Sequence, residues 1–217
     1  MSTYIKKTNE DGKFITDQQA TMLYTYNNNI YDSVTNTLNK VEKFFVDRQT
    51  GEHKQLGGTV YLNAGDDLNT MVSQNIAIGR SWAFYYGKQT NNKGDVLWES
   101  VVYIEGELKY KRLSVFDNRK RVIAYCEIDL LTGQKTNKRK CFFGDPAIFA
   151  YEFGNEDSAN FEFTYRDDDT IKEVFNYDDD YTLDEFLANE EIMAQFPWNQ
   201  HTYFHSFEPI HPLNFVI

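Results

Sequence analysis

The chain has 217 residues, 41% of them hydrophobic and 16% aromatic, with four prolines and a net charge of −11. This apolar and ring content is enough for a sizeable core and excludes global disorder, while no apolar run approaches the ~20 residues that cross a bilayer as a helix. The polar stretch 1–13 has no leader character and two cysteines make no disulfide framework, so a cytoplasmic protein of one domain, 1–217, is expected.

From the amino end, Met22, Tyr26, Ile30, Val34, Leu38 and Val41 recur at spacings of three and four behind Thr16 and Asp17, which are capping residue types. The spacing predicts a helical lead-in over 16–44, broken or divided at Asn27, Asn28 and Asn29, which are poor helix formers. From 45 to 177 the period is two. Residues 76–86 read as one long strand, with Arg80, Trp82 and Phe84 on its large-residue face. Strands at 96–104, 108–116, 121–130, 138–143, 147–153, 159–165 and 171–177 follow, and the clearest alternation sets Ala159, Phe161, Phe163 and Tyr165 against Asn160, Glu162, Thr164 and Arg166.

The turns between these strands are short, which forces sequential strands to pair antiparallel. Two of them share a pattern, Asp47-x-x-Thr50-Gly51 and Asp129-x-x-Thr132-Gly133, in which glycine takes a left-handed position. The fold class expected is mainly β, α+β at the margins: an up-and-down antiparallel meander forming a barrel or strongly curved sheet. A capping box, Thr182-Leu183-Asp184-Glu185, opens a helix over 182–196, and 198–217 is an extended aromatic tail packed as a strap.

Residues 152–191 hold 15 acidic and two basic residues, a net of −13, so the rest of the chain sums to +2. Such a concentrated field steers basic partners. The expected partner-binding residues are Asp167, Asp168, Asp169, Asp178, Asp179, Asp180, Tyr177, Tyr181, Asp184 and Glu185, with the tyrosines as anchors among carboxylates. The two aspartate triplets flank one strand and lack the alternating Asp-x-Asp-x-Asp-Gly loop of a calcium site. Residues 107–141 are the counterpart, with ten basic and four acidic residues. They read as exposed sheet faces and hairpin ends, since the overall charge argues against direct nucleic-acid binding.

No Gly-x-Ser-x-Gly elbow, phosphate loop or Cys–His signature is present, so the reading leans away from an enzyme and implies no cofactor. His201, His205 and His211 would suit zinc only if helical; in an extended chain the first two stand ~13 Å apart. The expected function is a binding or inhibitor protein that occludes a basic protein or nucleoprotein, in the manner of an immunity protein or a phage inhibitor of a defence complex. One alternative is a lipocalin-like barrel taking a hydrophobic small molecule in a cavity lined by Arg80, Trp82, Phe84, Trp98 and Tyr110. A second is an assembly subunit joined through its sheet edges and its tail, whose Trp198, Tyr203, Phe204, Phe207 and Phe215 would form an exposed apolar patch.

Overall fold

A computed structural model describes residues 2–144, 159–176 and 179–211. The strands are β1 (Thr3–Thr8), β2 (Phe14–Ile15), β3 (Thr25–Asp32), β4 (Leu38–Val46), β5 (His53–Tyr61), β6 (Ser81–Thr90), β7 (Val96–Ile104), β8 (Glu107–Phe116), β9 (Val122–Ile128), β10 (Lys135–Phe142), β11 (Phe161–Tyr165), β12 (Ile171–Phe175) and β13 (Asp180–Tyr181). The helices are α1 (Asp17–Ala20), α2 (Leu68–Asn75), α3 (Leu183–Ala188) and α4 (Glu190–Gln195). The strands form one sheet in the order β13, β12, β11, β10, β9, β8, β7, β6, β5, β4, β3, β1, β2. This order has two ends, so the expected barrel is not formed. The sheet is mostly antiparallel and open, and each end is blunted by a two-residue strand in place of closure. The strand expected at 147–153 lies outside the described residues.

Two pairings depart from the meander: β1 inserts between β3 and β2, and a parallel pair interrupts the antiparallel order. β5 and β6 run parallel, from Gly57 opposite Ser81 to Tyr61 opposite Tyr85. The 19 residues between them hold α2, and a crossover of that length is what parallel pairing requires. The sequence reading missed this helix and began the strand too early, at 76. Ile76 caps α2, Gly79 turns the chain at φ +80°, and the strand starts only at Ser81. β5 is tightly held on both sides. A Cβ on Gly57, at φ +141°, would lie 1.8 Å from the Ser81 carbonyl oxygen on β6, and one on Gly58 would lie 2.0 Å from the Val41 carbonyl oxygen on β4.

By its internal contacts the chain divides into two compact units, the first Met1–Lys88 with Glu99–Lys111 and the second Gln89–Trp98 with Arg112–Ile217. In the first unit the expected helix over 16–44 is absent apart from α1, whose capping box joins Thr16 and Gln19. β3 and β4 occupy the rest. The spacing misled because multiples of four are also multiples of two: Tyr26 and Ile30 share one face of β3 as readily as one face of a helix. Asn27, Asn28 and Asn29 weaken the helix, and pairing of β3 with β1 and β4 decides for the sheet. One face of this unit carries its cores. Val60, Trp82, Phe84 and Val101 pack with Leu62 and Val72 beneath α2, and Tyr26 and Val46 pack with Ala20 of α1.

In the second unit Phe161, Phe163 and Tyr165 of β11 are buried and alternate with Glu162 and Thr164, as expected. They meet Phe186, Phe196, Phe204 and Phe207 in a core made largely of rings. The capping box at Thr182 and Glu185 is formed, but the helix expected over 182–196 is two helices. Asn189, at φ −80° and ψ 104°, ends α3, and its side chain accepts from the backbone N–H groups of Glu191 and Ile192 to start α4. Over its described residues, 198–211, the tail is not an extended strap. It makes two 3₁₀ turns, Trp198–Gln200 and Thr202–Phe204, and buries Tyr203, Phe204, Phe207 and Ile210. These aromatics therefore form no exposed patch; Phe215 lies outside the described residues.

The shared turn pattern holds in atomic detail. Asp47 accepts from the backbone of Gln49 and Thr50, Asp129 from that of Leu131 and Thr132, and Gly51 and Gly133 stand at φ +71° and +72°. A third copy, Asp32-x-x-Thr35-Asn36, joins β3 to β4 with Asn36 at φ +56° in place of glycine.

Candidate functional site

The acidic stretch divides between opposite ends of β12, whose five residues span ~17 Å. At one end is the β11–β12 turn. Asp167 and Asp168 are exposed there, and the hydroxyl and N–H of Thr170 hold the Asp168 carboxyl below the usual range. Asp169 serves the fold instead. Its Oδ1 lies 2.6 Å from Nζ of Lys138, which also donates to the Asp167 carbonyl at 2.8 Å and the Arg166 carbonyl at 3.3 Å. The Lys138 side chain is 6% exposed, so Asp169 is the counter-ion of a buried cation.

At the other end Asp179 accepts from the Tyr181 hydroxyl at 3.3 Å, and Asp180 is exposed on the edge strand β13. Tyr181 is half-buried against the ring core, so it is no free anchor. Asp184 is exposed in the first turn of α3. Glu185 closes the capping box, and the Thr182 N–H and hydroxyl hold its carboxyl below the usual range. Two acids not singled out from the sequence join them, Glu190 and Glu191 in the first turn of α4, both exposed. Acidic first turns complement the positive end of a helix, which gives Asp184, Glu190 and Glu191 a local structural use as well. Tyr177 and Asp178 lie outside the described residues.

The basic region is largely neutralised within each unit. In the first, Lys109 pairs with Glu107 and Lys111 with Glu99. In the second, Arg112 pairs with Glu127, Arg121 with Asp117, Lys135 with Glu208 and Arg139 with Glu162. The expectation of exposed decoration fails most clearly at Lys140, which is fully buried. Its Nζ donates to the carbonyls of Tyr203 at 2.7 Å, Ser206 at 2.8 Å and Pro209 at 3.1 Å, and stands 3.6 Å from the centre of the Tyr203 ring. The sequence held one signal for this. Lys138 and Lys140 are in phase with Phe142, which packs on the ring core, so all three share the inward side of β10.

The alternative sites are not assembled. His201 stacks on Phe196 at 3.9 Å and His205 on Trp198 at 4.1 Å, and no metal-holding group of His, Cys, Asp or Glu occurs among the described residues. Burial lowers the pKa of His201, as packing against a ring implies. Trp82 and Phe84 are buried in the core of the first unit, whereas Arg80 and Tyr110 are exposed, so these side chains line no common cavity. Trp98 belongs to the second unit. Cys126 and Cys141 are free thiols, pushed up to about 11 and about 12 by burial, which makes them poor nucleophiles.

No family model matches this chain, and neither the curated proteins nor the solved structures contain a match. The first unit has 11 basic and 12 acidic residues, the second 11 and 21. No helix among the described residues is long and apolar enough to cross a membrane.

Proposed function

We propose that the chain is a binding protein that occludes a basic protein or nucleoprotein with the acidic surface of its second unit. The observation that supports this most is the set Asp180, Asp184, Glu190 and Glu191: four exposed carboxylates, on β13 and the first turns of α3 and α4, none with a cationic partner among the described residues. Exposed carboxylates of one sign raise the association rate of a cationic surface and lose that effect as salt screens them over about 8 Å at physiological ionic strength.

The test is capture from native lysate by the tagged protein at low and high salt, set beside the variant Asp180→Asn, Asp184→Asn, Glu190→Gln, Glu191→Gln. Asp169 and Glu185 are left intact because both serve the fold. The wild type is expected to retain a basic protein that high salt releases. Against that purified target, the variant should associate at least tenfold more slowly at low salt with its circular dichroism unchanged. An equal association rate for the two proteins would remove the proposal. The small-molecule alternative relied on a barrel, and the sheet is open; the assembly alternative keeps its sheet edges, while Tyr203, Phe204 and Phe207 of its tail are buried.

A further inference from the structure

The two ends of the sheet are protected to different degrees. At the β13 end, α3 packs against β12 and the Arg166 guanidinium donates to the Ile171 carbonyl. At the other end, β2 pairs with Lys7 and Thr8 only, so residues 3–6 of β1 have no strand on their outer side among the described residues. The direction of their backbone groups follows from the hairpin. Asn9 donates to the Lys13 carbonyl at 3.0 Å, which makes 9 and 13 a hydrogen-bonded pair. Alternation then makes Lys7 and Ile15 the next, so odd residues of β1 point outward and even ones toward β3. The Ser33 N–H donating to the Ser2 carbonyl agrees with this parity. Thr3 and Ile5 thus present N–H and C=O groups along an open edge, and the Ile5 side chain is 56% exposed. Beside that edge, where β2 leaves its lane at Thr16, lies an open groove of about 760 Å³ whose lining includes Ile5, Lys6, Phe14 and Ile15.

We infer that this edge pairs with the same edge of a second copy of the chain, antiparallel, with a twofold axis between the two Tyr4 residues. In this register Thr3 of each copy faces Ile5 of the other, so every outward N–H and C=O of residues 3 and 5 finds a partner. The register ends before Lys7, where β2 begins, so neither hairpin obstructs the other. Lys6 falls opposite Ser2, and no lysine faces a lysine directly. The side chains are self-complementary as well. Tyr4 stacks on Tyr31 at 5.2 Å, with the Lys6 ammonium 5.5 Å from the Tyr4 ring and 5.6 Å from the Tyr31 ring, and the axis sets a second such group beside the first. The first unit, which carries this edge, is near neutral and so adds little charge repulsion of its own between two copies.

The test is sedimentation of the full chain across the micromolar range, with two variants. Ile5→Pro deletes an N–H that points away from β3, a change an edge strand tolerates, and should weaken dimerisation at least tenfold with unchanged circular dichroism. Tyr4→Cys places a thiol at a non-hydrogen-bonded pair, where Cα atoms lie ~4.5 Å apart, and should form a disulfide-linked dimer under mild oxidation. A wild-type chain that stays monomeric at 100 µM, a dimer unaffected by Ile5→Pro, or a Tyr4→Cys chain that does not cross-link would each overturn the inference.

Discussion

Replacing Lys140 by methionine is expected to destabilise the second unit by about 3 kcal/mol in urea unfolding, although methionine has nearly the same length and removes a buried charge. The reason lies in the acceptors left behind. Three carbonyls of the tail, those of Tyr203, Ser206 and Pro209, lie 2.7 to 3.1 Å from Nζ; the ammonium, present below about pH 7, has one N–H for each, and the neutral amine above it has two. A buried acceptor that loses its donor costs roughly 1–3 kcal/mol, and relief of the buried charge offsets part of the sum. Hydrogen exchange should locate the loss in residues 198–210. Unchanged protection there would show that the tail is held by its rings alone.

The same lysine sets a pH dependence. Burial lowers its pKa to about 7, while Glu208 and Asp169 oppose the shift, as do the carbonyl cage and the face of Tyr203. The other groups around it are Lys138 on β10, Lys135 paired with Glu208, and the phenols of Tyr165 and Tyr203, both pushed up by burial. Because the folded value lies below the unfolded one, folding releases a proton between about 7 and the ordinary lysine value near 10.4, and stability rises with pH across that window. Urea midpoints measured from pH 7 to 10 should climb in the wild type and stay level, as far as this group is concerned, in Lys140→Met.

Phe196→Ala should cost about 3–5 kcal/mol, the range for emptying a large ring site in a well-packed core. The ring is fully buried, stacks on His201, and lies within 4.6 to 5.9 Å, centre to centre, of Phe142, Phe161, Phe163, Phe186 and Phe204. It stands at the end of α4, and with Phe186 it fixes both acidic helices onto β11. The variant should therefore lose salt-sensitive partner capture together with stability. Phe196→Leu, which keeps most of the volume, should recover a substantial part of both. Capture unchanged in Phe196→Ala would mean that the two helices take no part in binding.

What could be read from the sequence followed the range of the interaction. Hairpin turns depend on residues two to four apart, so Asp47, Asp129, Gly51 and Gly133 declared themselves, as did the capping box of Thr182 and Glu185. Features that depend on distant partners did not. The helical spacing over 16–44 was equally a strand spacing, and only pairing with β1 and β4 decides between them. The acidic stretch was visible as charge, but nothing local marked Asp169 as the counter-ion of Lys138, 31 residues before it, or showed that β10 turns two lysines inward. Barrel closure was an extrapolation from turn length, and the parallel pairing of β5 with β6 breaks the meander on which it rested.

That parallel seam also has a kinetic meaning. The hairpins joining β3 to β4, β4 to β5, β8 to β9 and β9 to β10 each close a loop of a few residues and are preset by an aspartate that binds the turn backbone, so their strands register locally and early. Joining β6 to β5 must close 19 residues and seat Gly57 against the Ser81 backbone and Gly58 against the Trp82 ring with almost no tolerance. The added loop entropy is only about 1 kcal/mol, but the pairing has no turn to guide its register. Assembly of the first unit thus includes a search for a non-local match between preformed hairpins, and the close approach at Gly57 restricts that match to one register.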